Sequence, residues 1–217
     1  MSGLSLEVAG ARVERHAAVP TIVLDVRATM TDEVGDDVTV DALALRAQVR
    51  IEPQRRRYSA DEGERLYDQF GDAAQWGTSL RPFLWTHTST VAPRFTGTTV
   101  IELPLVCTYD FEVAGTGYLQ SLDDGEIPLV VLFSGTVFTS GRHGFTVVPI
   151  PWDREATCRI PVALWRETMD TYFPHSGWVR LDRDTLDDLR RYRASQGLPT
   201  WDQAIERLFK EAGEEVP

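Results

Sequence analysis

The sequence predicts an α+β fold: an antiparallel, β-rich, sandwich-like or curved sheet followed by a helical C-terminal part. Three observations carry this. Across TVIELPLVCTYDFEV the positions Ile101, Leu103, Leu105, Cys107, Tyr109, Phe111 and Val113 are apolar, with Glu102, Thr108, Asp110 and Glu112 between them. That is the period-two pattern of a strand with one face in a core. IPLVVLFSGTVF is apolar on both faces over most of its length, as in a central strand covered from two sides. From Pro161 the pattern changes, and Val162, Trp165, Met169 and Tyr172 fall on one helical face. These signals divide the chain into residues 1–160, a β-rich domain with one short helix at about 59–70, and residues 161–217. The second part reads as a helix, a short strand and a helical hairpin packed on the first.

In chain order, TIVLDVRATM sets Ile22, Leu24, Val26, Ala28 and Met30 on one face of a half-buried strand. The acidic link TDEVGDD, with Gly35, has turn chemistry that predicts a long antiparallel hairpin with VTVDALALRAQVRIE. In that second strand the apolar phase switches after Val38, Val40 and Ala42 to Leu43, Leu45, Ala47, Val49 and Ile51, which predicts a β-bulge near Ala42. Ser59 and Glu62 form a capping box that opens a helix with Leu66, Tyr67 and Phe70 as its apolar stripe, and Gly71 ends it. DAAQWGTSLRP reads as loop, and His87 is placed on one strand face with Trp85 and Val91. Pro104 puts its strand at an edge or bends it there, and LDDGE is a turn. GFTVVPI and ATCRI are shorter strands. Pro161 opens a helix that Pro174 stops. WVRLDRDTLDDLRRYRASQGLPTWDQAIERLFKEAG then reads strand, helix, Gly197 terminator and helix, with a second capping box at Thr200 and Gln203 and a buried stripe of Ile205, Leu208 and Phe209.

The net charge of −11 argues against nucleic acid or an anionic membrane as the main partner. No leader pattern and no membrane-spanning apolar run is visible, which predicts a cytoplasmic protein. Cys107 and Cys158 lack metal-ligand spacing and read as two buried reduced thiols, and His16, His87, His143 and His175 are each isolated. Ser134 lacks the framing of a nucleophile elbow, and Gly115 and Gly117 lack the third glycine of a phosphate loop. No catalytic residue, metal ligand or cofactor is expected, and the balance leans away from an enzyme. The run Arg55, Arg56 and Arg57, with Arg50, is the candidate docking site for a protein partner. The competing reading of the run is a solvated charge network with Asp61, Glu62 and Glu64. Two further classes stay open: the C-terminal strand–helix–helix is similar to ribbon-helix-helix DNA-binding regulators, and a β-sandwich could hold a small-molecule pocket.

The stretches LRAQVRIEPQRRRYS, LRPFLWTHTST, FTGTTVIELPLVCTYDFEVA, LDDGEIPLVVLFSGTVF, PWDREA and LPTWDQAIERL, spread from Leu6 to Leu208, resemble a family of uncharacterised, mainly actinobacterial proteins (domain of unknown function 6084). That resemblance implies an accessory, assembly or regulatory role beside a nickel–iron hydrogenase, with a hydrogenase subunit or maturation factor as partner. It carries no catalytic residues to transfer. The order of a long hairpin, further strands and packed helices is also similar to export chaperones of the SecB type, and homo-oligomers are left open.

Overall fold

A computed structural model describes residues 3–32, 34–107, 115, 117–141, 144–174 and 181–213. The chain divides into two compact units, Met1–Ser176 and Gly177–Pro217.

The first unit closes one core between two antiparallel sheets. Strands β1 (Gly3–Val13), β2 (Thr21–Thr31) and β7 (Thr98–Val106) form the smaller sheet in the order β1-β2-β7. The five-stranded sheet runs β10 (Glu155–Pro161), β8 (Glu126–Gly141), β4 (Ala42–Ile51), β5 (Phe83–Ala92), with β9 (Gly144–Pro149) paired to the far half of β8. β3 (Thr39–Val40) and β6 (Phe95–Thr96) make a small ladder of their own. The inner faces are those the alternation predicts: Ile22, Leu24 and Val26 from β2, Leu103 and Leu105 from β7, Leu43, Leu45 and Val49 from β4, and Leu129 and Val131 from β8 share one buried cluster. Burying such a side chain is worth about 1.5–3 kcal/mol, so slipping β7 by one residue would expose Ile101, Leu103 and Leu105 together at roughly 5–9 kcal/mol. Pro104 sits where its missing N–H costs little, on a strand that among the described residues has a single ladder partner, β2. Tyr109, Phe111 and Val113 lie outside the described residues.

The predicted hairpin between β2 and β4 does not form. The turn itself is made: Asp32 Oδ1 accepts from the N–H groups of Val34, Gly35 and Asp36, each at 2.9 Å. Those bonds, led by Asp36, hold its carboxyl below the usual range. Beyond the turn, however, the chain crosses to the other sheet, β2 pairing with β1 and β7 and β4 with β5 and β8. The phase switch near Ala42 marks this crossing rather than a bulge: Asp41 interrupts the strand and its N–H donates to Phe138 O at 2.8 Å. A real bulge occurs on β5, where Val49 opposes Thr86 and Arg50 opposes Leu84, leaving Trp85 extra. Trp85 therefore turns inward and is buried, while His87 and Val91 face outward, opposite to their predicted grouping. β1 is an addition to the expected strands, with Leu4 and Leu6 buried against β2.

Short helices close one end of the first unit: α1 (Ala60–Arg65), α2 (Tyr67–Phe70), α3 (Trp76–Ser79) in the stretch expected as loop, and α4 (Gly117–Gln120). Leu66, Tyr118, Leu119 and Leu122 are their buried contributions. α5 (Val162–Tyr172) belongs to this unit too, its Val162, Trp165 and Thr168 buried. The second unit contains α6 (Arg183–Ser195) and α7 (Trp201–Ala212), joined through Gly197 at φ +63°. The Arg193 guanidinium lies 4.1 Å over the Trp201 ring, and Thr200 Oγ1 accepts from Gln203 N at 3.2 Å. The stripe predicted as buried is not: Ile205 and Leu208 are 38% exposed and Phe209 40%, with Ala204 as the buried residue of α7. Of the strand expected before α6, residues 175–180 lie outside the described residues. No helix among the described residues is long and apolar enough to cross a membrane.

One glycine decides how β4 and β8 meet. Gly135 sits at φ +138°, and a Cβ there would lie 2.0 Å from the backbone oxygen of Ala44. Both the backbone angle and the clash forbid a side chain. Gly135→Ala is expected to lower stability by roughly 2–4 kcal/mol in a urea or thermal melt, among the larger single-residue costs.

Candidate functional site

The arginine run splits three ways. Arg55 is exposed and pairs with Glu52, Nε to Oε2 at 2.5 Å. Arg57 is exposed. Arg56 is interior: its side chain is 6% exposed and ion-pairs with Glu62, itself 4% exposed. Its Nη1 also donates to Asp124 O at 2.7 Å and Glu126 O at 3.1 Å. Glu62 completes the predicted capping box, accepting from Ser59 N at 3.0 Å, and takes the N–H of Asp123 at 2.9 Å. Every one of these bonds serves the fold. Around them lies an open groove of about 800 Å³ whose lining sets four arginines against five carboxylates, so it offers no net attraction to an anion. Arg50 is outside this corner, half-buried on the outward phase of β4.

Next to the corner, Tyr58 donates its hydroxyl proton to Pro53 O at 2.7 Å, and its oxygen lies 2.9 Å from the hydroxyl of the fully buried Tyr118. Tyr118 also meets the Phe70 and Phe83 rings edge-on. Burial raises both phenols above the usual range, which keeps them neutral hydrogen-bonding groups. The Cys158 thiol is pushed up to about 11 by burial and stays protonated at neutral pH, so it is a poor nucleophile. Cys107 is buried, whereas Cys158 is half-buried, so the expectation of two buried thiols holds for the first alone.

A different surface collects the chemistry that can meet a partner. The polar phase of β4 carries Arg46, Gln48 and Arg50 along the outer face of the five-stranded sheet. Cross-strand register places Ser89 and Ser134 opposite Arg46, and His87 and Leu132 opposite Gln48. Directly opposed residues on one face are neighbours at about 5 Å between Cβ atoms. They line an open groove of about 630 Å³ whose lining is cationic, polar or apolar, without a carboxylate. The same face continues to apolar ground. Val91, on the phase of His87 and Ser89, is 66% exposed. Phe138 and Phe145 stack with centroids 5.9 Å apart at the far end, in line with Ser134 and Thr136. In a chain of net charge −11, such a face is electrostatically distinct. Of the docking residues expected from sequence, only Arg50 lies on it. Arg46, Gln48, His87, Ser89 and Ser134 were missed. Their signal was the alternation in LRAQVR, but which strands flank it depends on pairings formed across long stretches of chain.

The fold and this face define an antiparallel β-sandwich with an exposed outer groove whose lining carries no carboxylate, Glu155 standing beyond it opposite Leu132. The chain belongs to a family of unknown function, DUF6084, whose model matches residues 1–217. No curated protein matches it significantly. Over 73% of its length it is similar to beta-glucosidase 3B from Thermotoga neapolitana, solved with alpha-D-glucose at 13% identity and TM-score 0.23 and with glycerol at 12% identity and TM-score 0.22. Each match spans 17% of that enzyme's chain. Likeness at this level carries no argument about function.

Removing one partner of a buried ion pair leaves an uncompensated charge, at about 3–5 kcal/mol. Arg56→Ala should show a loss of that order in chemical denaturation, whereas Arg57→Ala should stay within about 0.5 kcal/mol of the parent. Equal small effects from both would contradict the interior role of Arg56.

Proposed function

We propose that this protein is a non-catalytic accessory factor that acts in the cytoplasm by protein–protein contact, holding a partner that presents carboxylates and apolar side chains to the outer face of the five-stranded sheet. The observation that carries this reading is the acid-free groove around Arg46, Gln48 and His87, continued by Arg50 on one side and by exposed apolar residues on the other. Guanidinium forks suit carboxylates, and a polar centre with an apolar border suits a contact oriented by charge pairing at short range and held by burial. The family resemblance points to a nickel–iron hydrogenase subunit or one of its maturation factors as that partner, held in a chaperone-like way before assembly.

The test uses tagged wild-type protein and Arg46→Glu and Arg50→Glu variants, recovered from a host that makes the hydrogenase. A hydrogenase subunit or maturation factor should copurify with wild type, fall by at least about tenfold with either variant, and weaken as salt is raised. The variants should melt with the parent. Deletion of the gene should abolish hydrogen uptake while hydrogenase transcript persists. Loss of the transcript would instead favour a DNA-binding regulator, and unchanged uptake with no copurifying subunit would sink the hydrogenase link.

A further inference from the structure

We infer that β9 is a self-association edge, on which a second copy of this chain pairs its own β9 in antiparallel fashion to continue the sheet. Among the described residues β9 has a ladder with β8 on one side and none on the other. A free edge presents unpaired N–H and C=O groups, and proteins ordinarily blunt such edges with charge. This one is not blunted. β9 reads Gly144, Phe145, Thr146, Val147, Val148, Pro149, and its partner segment on β8 reads Thr136, Val137, Phe138, Thr139, Ser140, Gly141, without a charged residue in either of these two segments. Phe145 is 65% exposed, Val147 53% and Val148 37%, so apolar groups face solvent on both sides of the strand.

The occupant follows from charge and symmetry. Two copies of net charge −11 repel each other, so self-contact is cheapest where no charge stands, and this uncharged ribbon is such a place. An edge strand placed against its own copy across a two-fold axis is antiparallel, and each exposed Phe145 and Val147 then covers the other copy's ribbon. Pro149 lacks an N–H and ends the usable edge, so the paired stretch is Gly144–Val148 and its centre is Thr146. In that register the two Thr146 side chains oppose each other, a favourable cross-strand pair. The contact is separate from the Arg46 groove and has the opposite salt response: screening the like charges of the two copies should strengthen it.

Sedimentation velocity or light scattering across a concentration and salt series decides the matter. The wild type should move from the 24.4 kDa monomer toward twice that mass as concentration rises, more readily at high salt. Thr146→Lys, which sets two ammonium groups opposite one another, should hold the protein at the monomer mass with an unchanged circular dichroism spectrum. Val147→Lys serves as the second variant if the first misfolds. A wild type that stays monomeric throughout, or a dimer that both lysine variants leave intact, overturns the proposal. Loss of partner capture with Arg46→Glu but unchanged dimerisation separates this edge from the groove.

Discussion

Glu62 is the constraint on which the rest of the architecture turns. Its carboxylate, nearly without solvent, binds Ser59 N at the start of α1, Asp123 N just before β8, and the Arg56 guanidinium just after β4. An unpaired carboxylate in that position would cost several kcal/mol, so the three segments must arrive together or not at all. Arg56 extends the tie with its bonds to the carbonyls of Asp124 and Glu126. The end of β4 and the beginning of β8 are thus held in one place, and their ladder runs from Ile51↔Leu129 to Ala42↔Phe138. Gly135 lets the two backbones approach midway along it. The register so set brings Ser134 beside Arg46 and Leu132 beside Gln48, so the outer groove is a distant product of one buried salt bridge.

The same network explains where the sequence could and could not be read. β2 and β7 were legible because each carries its burial in its own alternation, β8 because it is apolar on both faces, and the Ser59–Glu62 capping box because its two partners are three residues apart. The hairpin between β2 and β4 was misread because turn chemistry at Asp32 and Gly35 is local, whereas strand choice is decided by partners such as β7 and β8 far along the chain. For Arg56 the pairing with Glu62 was legible and the burial was not, for the same reason: three adjacent arginines look alike until Asp124 and Glu126 arrive from about seventy residues away to bury one of them. At Trp85 a single extra residue reversed the face assignment of His87, a change no periodicity count detects before the partner strand is known. The candidate groove depended on all of these at once, so its composition was present in the sequence while its location was not.

The surface that results divides its labour by charge. The arginine corner is balanced internally: its cations are spent on carboxylates and carbonyls of the same chain, which rigidifies the exit of β4 but leaves little field to attract anything. The groove around Arg46 is the reverse case, where cationic and polar groups stand without a carboxylate in the lining, inside a molecule whose total charge is strongly negative. Long-range attraction for an acidic partner is therefore weak, because the whole-molecule field opposes its approach and is screened beyond roughly 8–10 Å at physiological salt. Binding must be won at short range, by a partner that fits carboxylates onto the β4 arginines and apolar side chains onto the ground near Val91. Most acidic surfaces would be repelled before reaching the face, so the overall negative charge works as a filter against non-specific acidic proteins while the groove supplies the positive selection. An acidic body with a local cationic seat thus gains specificity from the very repulsion that slows its encounters.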